Sequence, residues 1–118
     1  MKNDTTLHIG VIGIGHLGNF HIEQFSKISN ISLCGIYDID KKRMQQISKS
    51  YNIPFFNKID KLLNICDAVS IVTPTETHYE VAEKALNANC HLFIEKPITN
   101  NIIQAKKLLQ KAKSKNKI

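Results

Sequence analysis

The chain has 118 residues, of which 42% are hydrophobic, and it carries a formal net charge of +6. This length supports one domain with a single core rather than two domains. No stretch approaches the roughly 18–20 apolar residues of a membrane-spanning helix, and residues 1–6 lack the apolar core of a signal peptide. The composition therefore predicts a cytoplasmic globular domain and excludes a membrane protein.

The positive charge is concentrated at one end of the chain. Six lysines lie in residues 106–118, and the remaining ten basic side chains balance the ten acidic ones. Arginine, the better side chain for recognising phosphate, occurs only at Arg43. We therefore expect a basic helix end at residues 106–118 and no nucleic-acid partner.

The three cysteines, Cys34, Cys66 and Cys90, are far apart in the sequence and form no C-x-x-C motif. This pattern predicts buried free thiols and no metal site.

The first predicted strand covers residues 6–13 and leads into a cluster of glycines. Four of the five glycines in the chain fall within nine residues. Three of them have the spacing G-x-G-x-x-G, between an apolar strand and a helix predicted over residues 16–29. This is the pattern of a dinucleotide-binding loop, in which the pyrophosphate rests on the helix N-terminus. The expected cofactor-binding residues of this loop are Gly13, Gly15, His16, Leu17 and Gly18.

The helix over residues 16–29 is expected to bury a stripe formed by Leu17, Phe20, Gln24 or Phe25, and Ile28. A second strand is predicted over residues 31–37, and Asp38 follows it. An acidic side chain at this position binds the ribose hydroxyls of NAD and repels a 2′-phosphate. Asp38 could instead cap the next helix, as could Asp40, and the basic residues 41–43 leave NADP as an alternative to NAD.

The middle of the chain predicts a helix over residues 40–50, a short strand over 53–56 and a helical turn over 59–63. Pro54 suits the edge or the start of a strand. A buried strand over 68–72 then ends at Thr73 and Pro74, before a helix over 76–88 that contains His78. A strand over 91–94 and a helix over 99–115 follow, and that last helix is expected to bury Ile102, Ile103, Leu108, Leu109 and Ala112.

This alternation predicts an α/β fold, a Rossmann-like, doubly wound parallel sheet of about five strands with helices on both faces. Ligands of such sheets lie at the carboxyl ends of the strands. The chain places Asp38, Thr73-Pro74 and Glu95-Lys96-Pro97 at three such ends. Lys96 would then point into the crevice near a nicotinamide ring, although a surface lysine at a strand end is the simpler alternative.

Together these motifs resemble the N-terminal domain of the Gfo/Idh/MocA family, the glucose-fructose oxidoreductase and inositol dehydrogenase group. The resemblance covers nearly the whole chain, and Glu95-Lys96-Pro97 after a Thr-Pro strand end is its most specific part. It implies an NAD(P)-dependent oxidoreductase acting on a sugar, inositol or related polyol. It also implies a catalytic role in proton transfer for Lys96, and cofactor-binding roles for Thr73, Pro74, His78, Glu95, Lys96 and Pro97. Thr75 departs from the family pattern, which often has asparagine there.

Members of that family are much longer and carry a second, substrate-binding domain. The resemblance therefore implies a truncated, cofactor-binding domain over residues 1–118, with little activity alone. A separate substrate-domain chain or a second copy is an expected partner. A free-standing NAD(H) sensor without catalysis is the alternative function. A third possibility is a scaffold that binds nothing well and has marginal stability.

Overall fold

The computed structural model describes residues 6–118, where four parallel strands form one sheet flanked by five α-helices. The signal-peptide prediction concerned residues 1–6, most of which lie outside this described part. The strands are β1 (Leu7–Ile12), β2 (Ile31–Tyr37), β3 (Ala68–Ile71) and β4 (His91–Ile94). The helices are α1 (His16–Ser26), α2 (Lys41–Tyr51), α3 (Ile59–Leu63), α4 (His78–Asn87) and α5 (Ile102–Ser114). A 3₁₀ turn over Thr75–Thr77 precedes α4.

The strand order in the sheet is β2-β1-β3-β4. From β1 the chain moves outward to β2, then crosses back to β3 on the other side of β1 and continues outward to β4. The direction of winding therefore reverses between β1 and β3, which confirms the predicted doubly wound sheet. The crevice at the carboxyl ends of β1 and β3 is the place where this topology binds ligands.

Helices cover both faces of the sheet because successive side chains of a strand point in opposite directions. On β1, Val11 faces one side and Ile12 the other, and both are fully buried. The Val11 side packs under α1 and α2, with the core residues Ile14, Ile22, Ile36, Met44 and Ile53. The Ile12 side packs under α3, α4 and α5, with Leu62, Leu63, Val69, Ile71, Ala82, Ala85, Leu86 and Leu108 among its core residues.

Within residues 6–118 the sheet has four strands, where about five were predicted. Residues 53–56 form a single bridge to β2, between Ile36 and Phe55, rather than a strand. The Ile36 N–H donates to the Pro54 carbonyl at 3.0 Å and the Phe56 N–H donates to the Ile36 carbonyl at 3.2 Å. Proline has no N–H, so Pro54 cannot extend this pairing into a ladder.

The predicted buried stripe of the first helix was also largely wrong. The buried residues of α1 are Gly18 and Ile22, whereas Leu17 and Phe20 are 43% and 52% exposed. Ile28 lies beyond the helix, which ends at Ser26, and is itself exposed. A glycine carries no apolar side chain, so a pattern of hydrophobic residues could not reveal that the Gly18 side of the helix faces the sheet.

The buried residues of the last helix also differ from the prediction. Leu108 of α5 is buried as predicted, but Ile102, Ile103 and Leu109 are exposed. In the described part of the chain α5 packs chiefly against α4, so one side of this helix is covered and the others are open.

Candidate functional site

The glycine loop between β1 and α1 makes two very close backbone approaches. Gly13 has a φ of +91°, and a Cβ there would lie 2.7 Å from the carbonyl carbon of Val72, at the end of β3. A Cβ on Gly18 would overlap the carbonyl oxygen of Gly13. Only glycine fits at either position. The first glycine thus makes the turn and the third lets the helix pack against the loop, as the spacing predicted.

Gly15 is the N-cap of α1, and it provides the open side of this loop. It has no side chain to cap the first-turn N–H groups, and a Cβ there would meet no atom within 4 Å. The N–H groups and the positive end of the helix dipole therefore face free space, which suits an anion. These features fit a pyrophosphate. His16 and Leu17 follow in the first turn, and both are exposed.

The loop opens into a cleft of about 680 Å³ at the carboxyl ends of the strands. Of the residues predicted to bind the cofactor, five line this cleft: Gly13, Gly15, Asp38, Thr73 and Pro74. Apolar side chains form another part of its wall, namely Tyr37, Ile39, Ile59 and Val81. Anion-binding N–H groups, an acidic side chain and apolar walls in one cleft fit the three parts of an adenine dinucleotide.

Asp38 and Arg43 hold the loop from the side of β2. The Asp38 carboxylate accepts the Ile14 N–H at 2.8 Å, and its other oxygen accepts the Asp40 N–H at 2.8 Å. Arg43 donates its Nε–H to the Ile14 carbonyl at 2.6 Å. Asp40 caps α2 by accepting the Arg43 N–H, so the helix-cap alternative applies to Asp40. A carboxylate has further acceptor sites, which leaves Asp38 able to bind ribose hydroxyls.

His78 lies outside the cleft lining and joins two strand ends. It is 2% exposed, and its Nε2 lies 2.8 Å from the Thr73 carbonyl oxygen. Its Nδ1 lies 2.9 Å from the carbonyl oxygen of Pro97 and 3.2 Å from that of Ile98. Carbonyl oxygens only accept hydrogen bonds. A neutral imidazole has one N–H and can donate to the carbonyls on one side of the ring only, whereas a doubly protonated ring can donate on both sides. His78 therefore ties the segment after Lys96 to the wall of the cleft.

Glu95 is held by a histidine that the sequence analysis did not identify. The Nε2 of His21, on α1, lies 3.0 Å from the Glu95 carboxylate. The Nδ1 of the same ring lies 2.7 Å from the hydroxyl oxygen of Ser70, which is fully buried in β3. Two features of the sequence could have pointed to this contact. His21 stands three residues after Gly18, on the same helix face, and Ser70 is a polar residue within an apolar strand.

Lys96 therefore stands between two anchored residues. Glu95 is linked to α1 and β3 through His21, and the Pro97 carbonyl is linked to Thr73 through His78. Lys96 and Pro97 are exposed, and neither they nor Glu95 line the 680 Å³ cleft. The structure thus brings the glycine loop, Asp38 and Thr73-Pro74 into one cleft and leaves the Glu95–Pro97 segment beside it.

Two further properties of residues 6–118 bear on the class of site. They contain no helix that is long and apolar enough to cross a membrane. They also contain no group of three or more His, Cys, Asp or Glu side chains placed to hold a metal ion.

Comparison with known proteins identifies the same family that the sequence motifs resemble. Residues 7–118 match the model of the Gfo/Idh/MocA family, described as an oxidoreductase family with an NAD-binding Rossmann fold. The chain is 41% identical over 110 residues to UDP-N-acetylglucosamine 3-dehydrogenase of Acidithiobacillus ferrooxidans, a match that covers 93% of this chain and 34% of that protein. It is 32% identical over 116 residues to inositol 2-dehydrogenase of Salmonella typhimurium, which covers 94% of this chain and 34% of that protein.

The fold agrees with these sequence matches. A crystal structure of the Acidithiobacillus ferrooxidans UDP-N-acetylglucosamine 3-dehydrogenase superposes with a TM-score of 0.92 at 39% identity, covering 96% of this chain and 37% of that one. The chain thus spans about a third of the length of the curated relatives it matches. Its glycine loop, its sheet topology and the match over residues 7–118 show that the chain belongs to the Gfo/Idh/MocA oxidoreductase family, of which it forms the NAD-binding Rossmann domain.

Proposed function

We propose that this chain is the cofactor-binding part of an oxidoreductase that acts on a sugar, an inositol or a related polyol. The observation that carries the proposal is the uncapped N-terminus of α1 at Gly15, which opens into the cleft that Asp38 also lines. The pyrophosphate of NAD binds over Gly15, His16 and Leu17, the adenosine ribose binds at Asp38, and Thr73 and Pro74 contact the half that carries the nicotinamide.

The proposed role of Lys96 is to assist proton transfer at the substrate. Its exposed position between the anchored residues Glu95 and Pro97 supports this role, because a group that moves a proton must be held at a fixed place. The hydride chemistry belongs to the bound nicotinamide, and this chain supplies its orientation. The names of the relatives support the substrate class, and family membership favours an oxidoreductase over a free-standing sensor.

A titration of the folded chain with NADH, followed by the fluorescence of the nicotinamide, tests cofactor binding at this cleft. Gly15→Asp places a carboxylate where the pyrophosphate would rest. Two like charges about 4 Å apart near a protein surface repel by about 4 kcal/mol, which weakens binding about a thousandfold. Since a Cβ at Gly15 would meet no atom within 4 Å beyond its chain neighbours, this variant is expected to fold normally.

Asn101→Asp is the matched control, because it adds the same charge at the N-cap of another helix, α5. We expect the parent chain and this control to bind NADH equally and Gly15→Asp to show no measurable binding. Lys96→Ala is expected to bind NADH within about twofold of the parent, because Lys96 does not line the cleft. No NADH binding by the parent chain, or equal binding by Gly15→Asp, would overturn the proposed site.

Cofactor preference is tested by the same titration with NADPH. The Asp38 carboxylate disfavours a 2′-phosphate and Arg43 is close enough to the loop to favour one. We propose that the carboxylate, which lines the cleft itself, determines the preference for NAD. Tighter binding of NADPH than of NADH would contradict this.

We also propose that the chain associates with a partner, either a separate substrate-domain chain or a second copy. Its exposed apolar side chains support this, with Phe93 of β4 58% exposed and Ile102 of α5 73% exposed. Sedimentation of the purified chain tests the second possibility. A single monomeric species at every concentration would exclude self-association.

A further inference from the structure

Two of the three cysteines meet over β1, although 32 positions separate them in the sequence. Cys34 lies on β2, and Cys66 lies in the turn between α3 and β3. Their sulfur atoms are 3.1 Å apart. The contact depends on Gly10 of β1, because a Cβ at that position would lie 2.7 Å from the Cys66 sulfur.

The chemical environments of these sulfurs differ. Cys34 is partly exposed, and the hydrogen bond between its sulfur and that of Cys66 lowers the pKa of its thiol. Cys66 is buried, and the same hydrogen bond together with burial raises the pKa of its thiol. Cys34 is the more exposed of the two residues, and its lowered pKa favours the thiolate form. The sulfur of Cys66 lies directly against that of Cys34.

Cys90 provides an internal comparison. It is fully buried, burial raises the pKa of its thiol, and it lies 3.5 Å from the Leu63 carbonyl oxygen and 3.4 Å from that of Cys66. It has neither the partial exposure of Cys34 nor the close sulfur–sulfur contact that Cys34 and Cys66 share.

We propose that Cys34 and Cys66 form an oxidation site that reacts with hydroperoxides and closes to a disulfide. In the first step the Cys34 thiolate attacks a peroxide oxygen, and the O–O bond breaks. Cys34 becomes a sulfenic acid, and the other oxygen leaves as water or an alcohol after taking a proton. In the second step the Cys66 sulfur attacks the Cys34 sulfur, and the S–S bond forms. The sulfenic oxygen leaves as water with the Cys66 proton. The two thiols lose two electrons in total, and the peroxide gains them.

This site is independent of the cofactor cleft, so its test needs no bound nucleotide. The folded, reduced chain is treated with hydrogen peroxide, its remaining thiols are alkylated, and it is digested with trypsin. Cys34, Cys66 and Cys90 fall on three different tryptic peptides, covering residues 28–41, 62–84 and 85–106. We expect the first two peptides to be joined, with the loss of two hydrogen atoms, and the third to be alkylated.

Two variants make the test specific. Cys90→Ser keeps the pair intact and is expected to give the same joined peptides. Cys34→Ser changes a partly exposed residue conservatively and is expected to give none of them. Separate alkylation of all three peptides from the parent chain would overturn the proposal. So would a bond between Cys66 and Cys90, or a Cys34–Cys66 bond found only between two molecules.

Discussion

A large loss of stability is expected from removing the side chain of His78. The ring is buried and touches the carbonyl oxygens of Thr73 and Pro97, at 2.8 and 2.9 Å. His78→Ala leaves at least one of these carbonyls without its donor, which costs about 1–3 kcal/mol. The lost packing of the ring adds about 1 kcal/mol. The expected loss is about 3 kcal/mol, and at this chain length it lowers the melting temperature by about 12 °C.

Thermal unfolding followed by circular dichroism measures this loss. His16→Ala is the matched control, because it removes the same side chain from an exposed position, and such changes usually stay within about 0.5 kcal/mol of the parent. If the two variants melt within about 2 °C of each other, His78 does not hold the two strand ends together, and the reasoning fails.

Three further outcomes are expected. Gly10→Ala is expected to lower the free energy of unfolding by about 1–3 kcal/mol, because the new Cβ would lie 2.7 Å from the Cys66 sulfur; an unchanged midpoint in urea would contradict this packing. Asp40→Ala is expected to destabilise the chain by about 1 kcal/mol, because its carboxylate accepts a backbone N–H at the start of α2; unfolding in urea measures it, and no loss would mean that the cap is not formed. Iodoacetamide is expected to alkylate Cys34 faster than Cys90, most clearly below the ordinary thiol pKa, because the pKa of Cys34 is lowered and that of Cys90 is raised; equal rates at every pH would refute this difference.

The parts of the fold that local backbone chemistry determines were predictable. The glycine spacing indicated a turn that only glycine can make, and Gly13 has the positive φ that this requires. Asp38 was expected at the carboxyl end of β2, where it also bonds to the glycine loop; its predicted role in binding ribose stays a prediction. Both inferences used residues whose neighbours in space follow from a known strand–helix–strand unit.

The parts that depend on distant residues were not predictable. His21 reaches Ser70 and Glu95 across separations of 49 and 74 residues, and no local pattern encodes such a contact. The meeting of Cys34 with Cys66 required the parallel pairing of three strands and the missing side chain of Gly10. The hydrophobic pattern of α1 was misleading for a local reason. Gly18 determines which side of the helix faces the sheet, but a glycine contributes nothing to a pattern of apolar side chains.

The two bonds to Ile14 have a thermodynamic consequence. Asp38 holds its N–H and Arg43 holds its carbonyl, so two side chains of opposite charge fix one residue of the glycine loop. Ordering a free backbone residue costs about 1–2 kcal/mol of conformational entropy. Because this residue is already ordered by its own chain, a nucleotide that binds here does not bear that cost at Ile14. The loop is a preorganised template, and its contacts contribute more fully to affinity than the same contacts on a mobile loop would.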